Sequence, residues 1–277
     1  MHLHSRLLLT KFAATAGFSN AQMKLRVLGL LLLFLHPLAG AADLRVGLST
    51  DRPPYSYQLA GVNHGIEVDL LQAILAEMKQ PATLVVLPNA RLISALQQGE
   101  IDVAASVQGQ DGAGVYYSAP YVEYHNYAIS LKSAHDKLDS LADLNQFNFV
   151  IWQGGWSALG PQFAAIYQPD ANGHFRSNYT QTSSQRNQNM MFWAKRVAVI
   201  ICDKEIFEWY RKDLAHTFET GEEVEYHDLF DSQTVFSVAF RSAALRDQFN
   251  LALARIRSNG TYKNIRDKNE SALQLSP

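Results

Sequence analysis

The chain has 277 residues, a formal net charge of −2 and an ordinary share of charged residues, 18%. This balance offers none of the basic surface that nucleic-acid binding needs, and the length allows one large domain or two small ones. With a single cysteine, Cys202, an intrachain disulfide is impossible.

Residues 1–41 have the pattern of a targeting segment. A basic start at Met23–Arg26 precedes the apolar run Val27–Leu35, and Ala39-Gly40-Ala41 is a small-residue cleavage signature. The apolar run is shorter than the roughly 18 residues that a spanning helix needs. We therefore predict a secretory signal peptide whose true start is Met23, preceded by an upstream extension. An uncleaved membrane anchor is the alternative.

From Leu44 onward, short apolar runs that indicate strands alternate with amphipathic helices. The predicted elements of the first half are strand Leu44–Leu48, helix Ile66–Met78, strand Thr83–Leu87, helix Ala90–Gln98, strand Ile101–Ala105 and a long strand Val122–Leu131. Because Pro53 and Pro54 stop any strand or helix, an aromatic loop is predicted between the first strand and the first helix. Strand–helix alternation through short loops is typical of βαβ units and a mostly parallel sheet.

The same alternation restarts after a polar connection at residues 132–146, which contains a short predicted helix, Leu138–Leu144. The elements that follow are strand Phe147–Trp152, helix Ser157–Tyr167, helix 183–195, strand Arg196–Ile201, helix Lys204–Leu214, strand Val224–Leu229, strand Thr234–Phe240, and helices Ala243–Ile256 and Thr261–Arg266. The segments ISALQQGEIDVAAS and MMFWAKRVAVIICD are weak internal echoes of one helix–strand unit. Two lobes built from the same kind of unit would explain this echo.

Four motifs, in order along the chain, resemble those of the family 3 extracellular solute-binding proteins. The first joins the initial strand, the Pro-Pro-aromatic loop and the helix start Gly65-x-x-x-Asp69-Leu70. The second is RLISALQQGEID, from Arg91 to Asp102, and the third is YSAPY at 117–121, which resembles F-S-x-P-Y. The fourth is the C-terminal stretch 236–265, FSVAFRSAALRDQFNLALARIRSNGTYKNI. From the first motif to the last, the resemblance extends over nearly the whole predicted mature chain.

This resemblance implies an α/β fold of the two-lobe periplasmic-binding-protein type II class. Each lobe is then a mostly parallel sheet flanked by helices, and two strands cross between the lobes. We expect residues 42–127 with 236–277 to form lobe one and residues 128–235 to form lobe two.

The resemblance also implies a periplasmic, monomeric protein that is not an enzyme and has no cofactor or metal. It would capture a small polar solute, amino-acid-like or amine-containing, and deliver it to an ABC transporter permease. One alternative is a ligand-sensing periplasmic module for signalling. The other is a lyase similar to the periplasmic cyclohexadienyl dehydratases, although Cys202 ends a buried strand, where a thiol is usually inert.

In the family, a lobe-two aspartate holds the ammonium of an amino-acid ligand, and the resemblance gives this role to Asp203. An N-cap for the following helix is its other role, and the two are compatible. Gly155 and Trp156 match the family's anion-binding turn, with its hydroxyl residues replaced. Trp156 would either stack on a ligand or pack within lobe two.

The carboxylate clamp of the family departs from its pattern here. No arginine stands in the segment 106–115 where the family has T-x-x-R. Arg52, on the first ligand loop, or Arg91, at the start of the helix after strand Thr83–Leu87, could substitute for it, and for each the alternative is a solvated surface charge. Tyr55 keeps the aromatic loop position, and Ser106 and Gln108 are expected to face the cleft. We therefore predict that the ligand is not an ordinary α-amino acid bound in the family's usual pose.

Overall fold

Two β-sheets with helices packed against them form the framework of the protein. The computed structural model describes residues 43–135, 137–230 and 233–275. The predicted signal peptide, residues 1–41, lies outside the described residues.

The strands and helices are numbered here in chain order. The strands are β1 (Leu44–Leu48), β2 (Asp51–Arg52), β3 (Ser56–Leu59), β4 (Val62–His64), β5 (Ala82–Val86), β6 (Val103–Val107), β7 (Tyr116–Tyr117), β8 (Val122–Tyr124), β9 (Asn126–Leu131), β10 (Phe149–Trp152), β11 (Tyr179–Thr182), β12 (Val199–Asp203), β13 (Val224–His227) and β14 (Thr234–Phe240). The helices are α1 (Ile66–Glu77), α2 (Leu92–Gln98), α3 (Gly155–Ala158), α4 (Pro161–Tyr167), α5 (Gln185–Trp193), α6 (Lys204–Asp213), α7 (Ala243–Ser258) and α8 (Thr261–Leu275).

In each large sheet three neighbouring strands at one side run parallel, as expected from the predicted βαβ units, and the remaining pairings are antiparallel. The first has the strand order β5-β1-β6-β14-β7, with β8 also paired to β14, and the second has the order β11-β10-β12-β9-β13. In the first sheet β1 runs parallel to β5 and β6, and in the second β10 runs parallel to β11 and β12. Strands β6 and β12 are buried along their full length, which fits sheets covered by helices on both faces.

The chain passes between the two sheets twice, and this confirms the predicted two-lobe fold. The single strand predicted at Val122–Leu131 is in fact two strands, β8 and β9, separated by His125 alone. The reason is a change of partner, because β8 pairs with β14 in the first sheet whereas β9 pairs with β12 and β13 in the second. The return passage runs from β13 to β14.

A small third sheet occupies the place of the predicted aromatic loop. Strands β2, β3 and β4 pair antiparallel, and the two prolines lie in the turn between β2 and β3. Two predicted helices also differ. The helix expected at Ser157–Tyr167 is broken by Gly160 and Pro161 into α3 and α4, and the region of Leu138–Leu144 holds a 3₁₀ turn, Asp143–Gln146.

None of the helices in the described part of the chain combines the length and the apolar character needed to cross a membrane.

Candidate functional site

A cleft of about 640 Å³ lies where strand ends of the two sheets meet. Its walls come from the residues after β1 and β5 in the first sheet and after β10, β11 and β12 in the second. Ligand sites of open α/β sheets lie at the carboxyl ends of strands, as here. The lining residues are Ser49, Thr50, Asp51, Arg52, Val86, Leu87, Pro88, Asn89, Ala90, Tyr124, Asn126, Trp152, Gln153, Gly154, Thr182, Ser183, Gln185, Asp203, Ile206 and Phe236.

The described lining of this cleft has more acidic than basic side chains. Among the described lining residues, Asp51 and Asp203 are acidic and Arg52 is the one basic residue. Oδ1 of Asp51 accepts a hydrogen bond from the Ser49 hydroxyl at 2.7 Å. Both acids follow central parallel strands, so they reach the cleft from opposite sheets.

A buried carboxylate on the first helix holds Arg52. Nη2 of Arg52 lies 3.4 Å from Oε2 of Glu67, and the two side chains are 8% and 0% exposed. Glu67 also accepts hydrogen bonds from the hydroxyls of Ser106 and Tyr124. Burial by itself lowers the pKa of Arg52, but Glu67 and the other nearby negative groups outweigh it, so the pKa is raised. The guanidinium therefore stays charged and is paired with an acid of its own chain.

Asp203 ends β12 and caps α6. Its Oδ1 accepts hydrogen bonds from the backbone N–H groups of Glu205 at 2.9 Å and Ile206 at 3.1 Å. Its Oδ2 accepts from the backbone N–H of His125 at 2.8 Å and from the Tyr55 hydroxyl at 3.3 Å. Burial, helped by the neighbouring Glu205 carboxylate, raises the pKa of Asp203 to about 7 against the opposing effect of the backbone N–H donors.

Tyr55 borders a second cavity, of about 650 Å³, rather than the cleft. Its ring stacks on Tyr124, with the ring centroids 4.1 Å apart, and Tyr124 lines the cleft. Asp203 lines both cavities. Tyr55 therefore supports the cleft through Tyr124 and Asp203. Ser106 is likewise buried and bonded to Glu67, so it supports the Arg52 pair and is absent from the lining.

Two of the residues predicted to face the cleft lie elsewhere. Arg91 is 55% exposed and pairs with Glu100 at 3.0 Å, while its neighbour Ala90 lines the cleft. The reason is the 3₁₀ turn Asn89–Arg91, which precedes α2 and directs the arginine outward. Gln108 is exposed beyond the end of β6, and its Nε2 donates to the Val235 carbonyl at 3.2 Å.

Packing contacts involve both residues named for the predicted anion-binding turn. A Cβ at Gly155 would lie 2.5 Å from Cδ1 of Ile151, so this glycine serves close contact between α3 and β10. Trp156 packs against the apolar core of the second sheet. Gly154 and Trp152 line the cleft in their place.

Three residues of this region were not singled out from the sequence. Asp51 adjoins Arg52 in β2, shortly after the end of β1, and Trp152 ends β10, so both lie near the ends of strands of the large sheets. Glu67 carries no comparable signal, since a polar residue on an amphipathic helix is expected on the solvent face.

A family model for bacterial extracellular solute-binding proteins, family 3, matches residues 44–270. The L-arginine-binding protein of Pseudomonas aeruginosa is 26% identical over 260 residues, which cover 88% of this chain and 95% of that protein. The arginine-binding periplasmic protein of Mannheimia haemolytica is 27% identical over 236 residues, which cover 83% of this chain and 92% of that protein.

Solved structures agree on the fold. A histidine kinase sensor domain with similarity to periplasmic binding proteins superposes with a TM-score of 0.68, at 17% identity, over 83% of this chain and 96% of that domain. At 17% sequence identity, this similarity shows the fold alone. Since the family model spans the described chain nearly from end to end, the protein belongs to the bacterial extracellular solute-binding proteins, family 3.

Proposed function

We propose that the protein captures a small amine-bearing solute in its cleft and delivers it to an ABC transporter permease. Lobe one, residues 42–127 with 236–277, and lobe two, residues 128–235, would close on the solute, with Arg52 and Asp203 on opposite walls. The observation that carries this proposal is the buried Asp203 carboxyl in a cleft that has more acids than bases.

The hydrogen bonds of Asp203 leave room for an ammonium. Three of its four donors are backbone N–H groups at 2.8–3.1 Å, but the Tyr55 hydroxyl is longer, at 3.3 Å. An ammonium–carboxylate hydrogen bond is charge-assisted and stronger than a neutral one. A ligand amine would therefore replace the Tyr55 bond on Oδ2, while Oδ1 keeps capping α6.

The walls of the cleft suit the rest of such a ligand. The aromatic residues Tyr124, Trp152 and Phe236 line it. Aromatic faces attract cations and also cover methylene groups. The names of the two relatives, which bind arginine, support a solute of this chemistry.

A thermal-shift screen tests the proposal with arginine, lysine, ornithine and their decarboxylated amines. A ligand at 100 times its dissociation constant stabilises the folded state by about 2.7 kcal/mol, an easily measured shift. Asp203→Ala should weaken any hit at least about tenfold, as expected for loss of a charge-assisted hydrogen bond. The control is Glu223→Gln, a carboxylate that pairs with Lys132 on the surface. If no amine shifts the melting temperature, the proposal fails.

Delivery to a permease is tested in cells. The family is extracellular by description, and we propose the periplasm as the compartment and a monomer as the working form. Deleting the gene should abolish high-affinity uptake of the radiolabelled solute, and the protein should elute as a monomer with and without it. Unchanged uptake would argue for a sensing role.

We further propose that the cleft has no catalytic activity. Cys202, a conceivable nucleophile, is fully buried, and burial raises the pKa of its thiol well above the usual range. Reactive cysteines are instead accessible and easily ionised. Purified protein should leave prephenate and arogenate unchanged, and turnover of either would overturn this assignment.

A further inference from the structure

We propose that the cleft prefers diamines and guanidino-amines that lack a carboxylate over the corresponding α-amino acids. This inference rests on the proposed function, because it names the class of amine that the same cleft selects. It follows from the position of one acid, Glu67, and from the hydrogen bonds that donor groups lining the cleft already make within the chain.

The first step concerns the cation that a carboxylate would need. Arg52 is the one basic residue among the described residues that line the cleft. Its guanidinium already pairs with Glu67, and both side chains are buried. The carboxylate of Glu67 thus occupies the partner role that the carboxylate of an amino-acid ligand would otherwise take.

The second step is that Glu67 is fixed where it lies. Besides Arg52, it accepts hydrogen bonds from the hydroxyls of Ser106 and Tyr124. It also belongs to the first turn of α1, where the helix dipole stabilises a negative charge. Moving it away from Arg52 would break these contacts and leave a buried charge unpaired, which is strongly unfavourable.

The third step concerns the neutral donors of the cleft, several of which are engaged within the chain. The Ser49 hydroxyl donates to Asp51 at 2.7 Å, and the Asn126 amide donates to Thr234 at 2.8 Å. The Thr182 hydroxyl donates to the Ser184 carbonyl at 3.2 Å. A ligand carboxylate would therefore meet two like charges, an arginine whose Nη2 is already paired with Glu67, and at least three donors that are engaged within the chain.

A ligand with a positive charge at each end avoids all of these conflicts. One end would face Asp203 on the second lobe, and the other would face Asp51 on the first. The aromatic lining residues would cover the methylene groups between the two ends. Agmatine, cadaverine and putrescine have this pattern, and each differs from a common amino acid by the carboxylate alone.

Isothermal titration of the purified mature protein with three matched pairs tests the inference. The pairs are agmatine with arginine, cadaverine with lysine, and putrescine with ornithine. We expect at least one decarboxylated amine to bind ten or more times as tightly as its amino acid, and no pair to show the reverse order. If the amino acids bind as tightly or more tightly, the inference is wrong and the proposed function stands. If none of the six binds, both are wrong.

Glu67→Gln provides the sharper test, because it frees Arg52 without emptying the site. The ratio of agmatine affinity to arginine affinity should fall at least tenfold in this variant. Glu223→Gln, which also removes one carboxylate but on the surface, should leave the ratio unchanged. An unchanged ratio in a folded Glu67→Gln protein, checked by circular dichroism, would overturn the inference.

Asp51→Asn keeps the inference testable if the first variant fails to fold. Asparagine retains an oxygen for the Ser49 hydroxyl, so the local hydrogen bond survives. The variant should lose agmatine affinity by at least tenfold and arginine affinity by less. Equal losses for the two ligands would show that Asp51 does not receive the second cationic group.

Discussion

The two carboxyl oxygens of Asp203 have different tasks. Oδ1 caps α6 through the N–H groups of Glu205 and Ile206, whereas Oδ2 holds the N–H of His125 and the hydroxyl of Tyr55. The cap stabilises α6 itself, and under the proposed function Oδ2 is the oxygen that would receive an amine. The raised pKa of about 7 means that this carboxyl changes charge near neutral pH.

The free energy of unfolding of the ligand-free protein should fall as the pH rises from about 5 to about 8. The pKa of Asp203 is about 7 when folded and near 4 when unfolded, so in this range the folded state binds more protons. Stability then decreases with pH, by up to about 4 kcal/mol for a three-unit shift. Urea unfolding at several pH values measures the decline, which should be smaller in Asp203→Asn. If the free energy of unfolding falls equally with pH in the native protein and in Asp203→Asn, the decline does not come from Asp203.

The affinity for an amine should have the opposite dependence on pH. An ammonium binds the ionised form of Asp203, so affinity should weaken below about pH 7, approaching tenfold per pH unit. Titrations of agmatine at four pH values measure it. His125→Gln is the control, because it removes the imidazole but keeps the backbone N–H to Asp203. A flat profile in the native protein would contradict the assignment.

At this scale, Asp203 and Arg52 were proposed from the family resemblance, Asp203 as the ammonium partner and Arg52 as a substitute for the missing arginine, and both lie in the lining of the cleft. Glu67 could not be predicted, because its burial depends on β6 and β8 packing over the start of α1, and no local pattern encodes that. Arg91 was misplaced by one short turn, since its outward direction depends on backbone geometry that the helix period does not specify.

Among the elements, the small sheet of β2, β3 and β4 was not predicted, because its strands are short. Strands of two to four residues are too brief to show a period of two, and the prolines favoured a loop. The sheet matters because it ends at Gly65, where the chain turns into α1. The backbone N–H of Glu67 then donates to the Tyr55 carbonyl at 2.8 Å, which sets Glu67 beneath the loop.

Gly65→Ala should destabilise the protein by about 3 kcal/mol or more. Gly65 has φ of +117°, and an added Cβ would lie 2.3 Å from the Tyr55 carbonyl oxygen. Such backbone strain and overlap are among the few causes of large losses. Gly61→Ala is the matched control, since Gly61 has φ of +78° with open space around it, and it should cost about 1 kcal/mol. Similar losses in urea unfolding would contradict this reasoning.

The break between α3 and α4, by contrast, could have been predicted from the sequence. Gly160 has a positive φ and Pro161 occupies the first turn of α4, the pairing typical of one helix ending and another beginning. The predicted single helix Ser157–Tyr167 ran through that pair. Local breakers therefore outweighed periodicity at this point.

For the whole molecule, the two lobes were predicted from the family resemblance of four motifs, and the weak internal echo of one helix–strand unit agreed with it. Contacts now seen between the lobes could not be predicted, because they join residues far apart in sequence. The Tyr57 and Trp209 rings lie 4.8 Å apart, and the Tyr210 hydroxyl donates to the Asp51 carbonyl at 3.4 Å. Both contacts connect the small sheet to α6 across the cleft.

Trp209→Ala should shift the protein toward an open form. An aromatic pair contributes about 0.5–1.5 kcal/mol, which corresponds to roughly a 2- to 12-fold change in the ratio of closed to open molecules. The dissociation constant for agmatine should rise by a similar factor, and small-angle scattering should give a larger radius of gyration. Leu251→Ala, at an exposed position on α7, is the control. An unchanged radius and affinity would contradict the role of this contact.

One backbone amide joins the chain passage between the lobes to the ligand site. His125 is the single residue between β8 and β9, and its N–H is bonded to Oδ2 of Asp203. Under the proposed function, an amine bound to that oxygen would therefore also alter a hydrogen bond of the residue at which the chain passes between the lobes. We expect a substitution that changes the release of such a ligand to change the opening of the lobes as well.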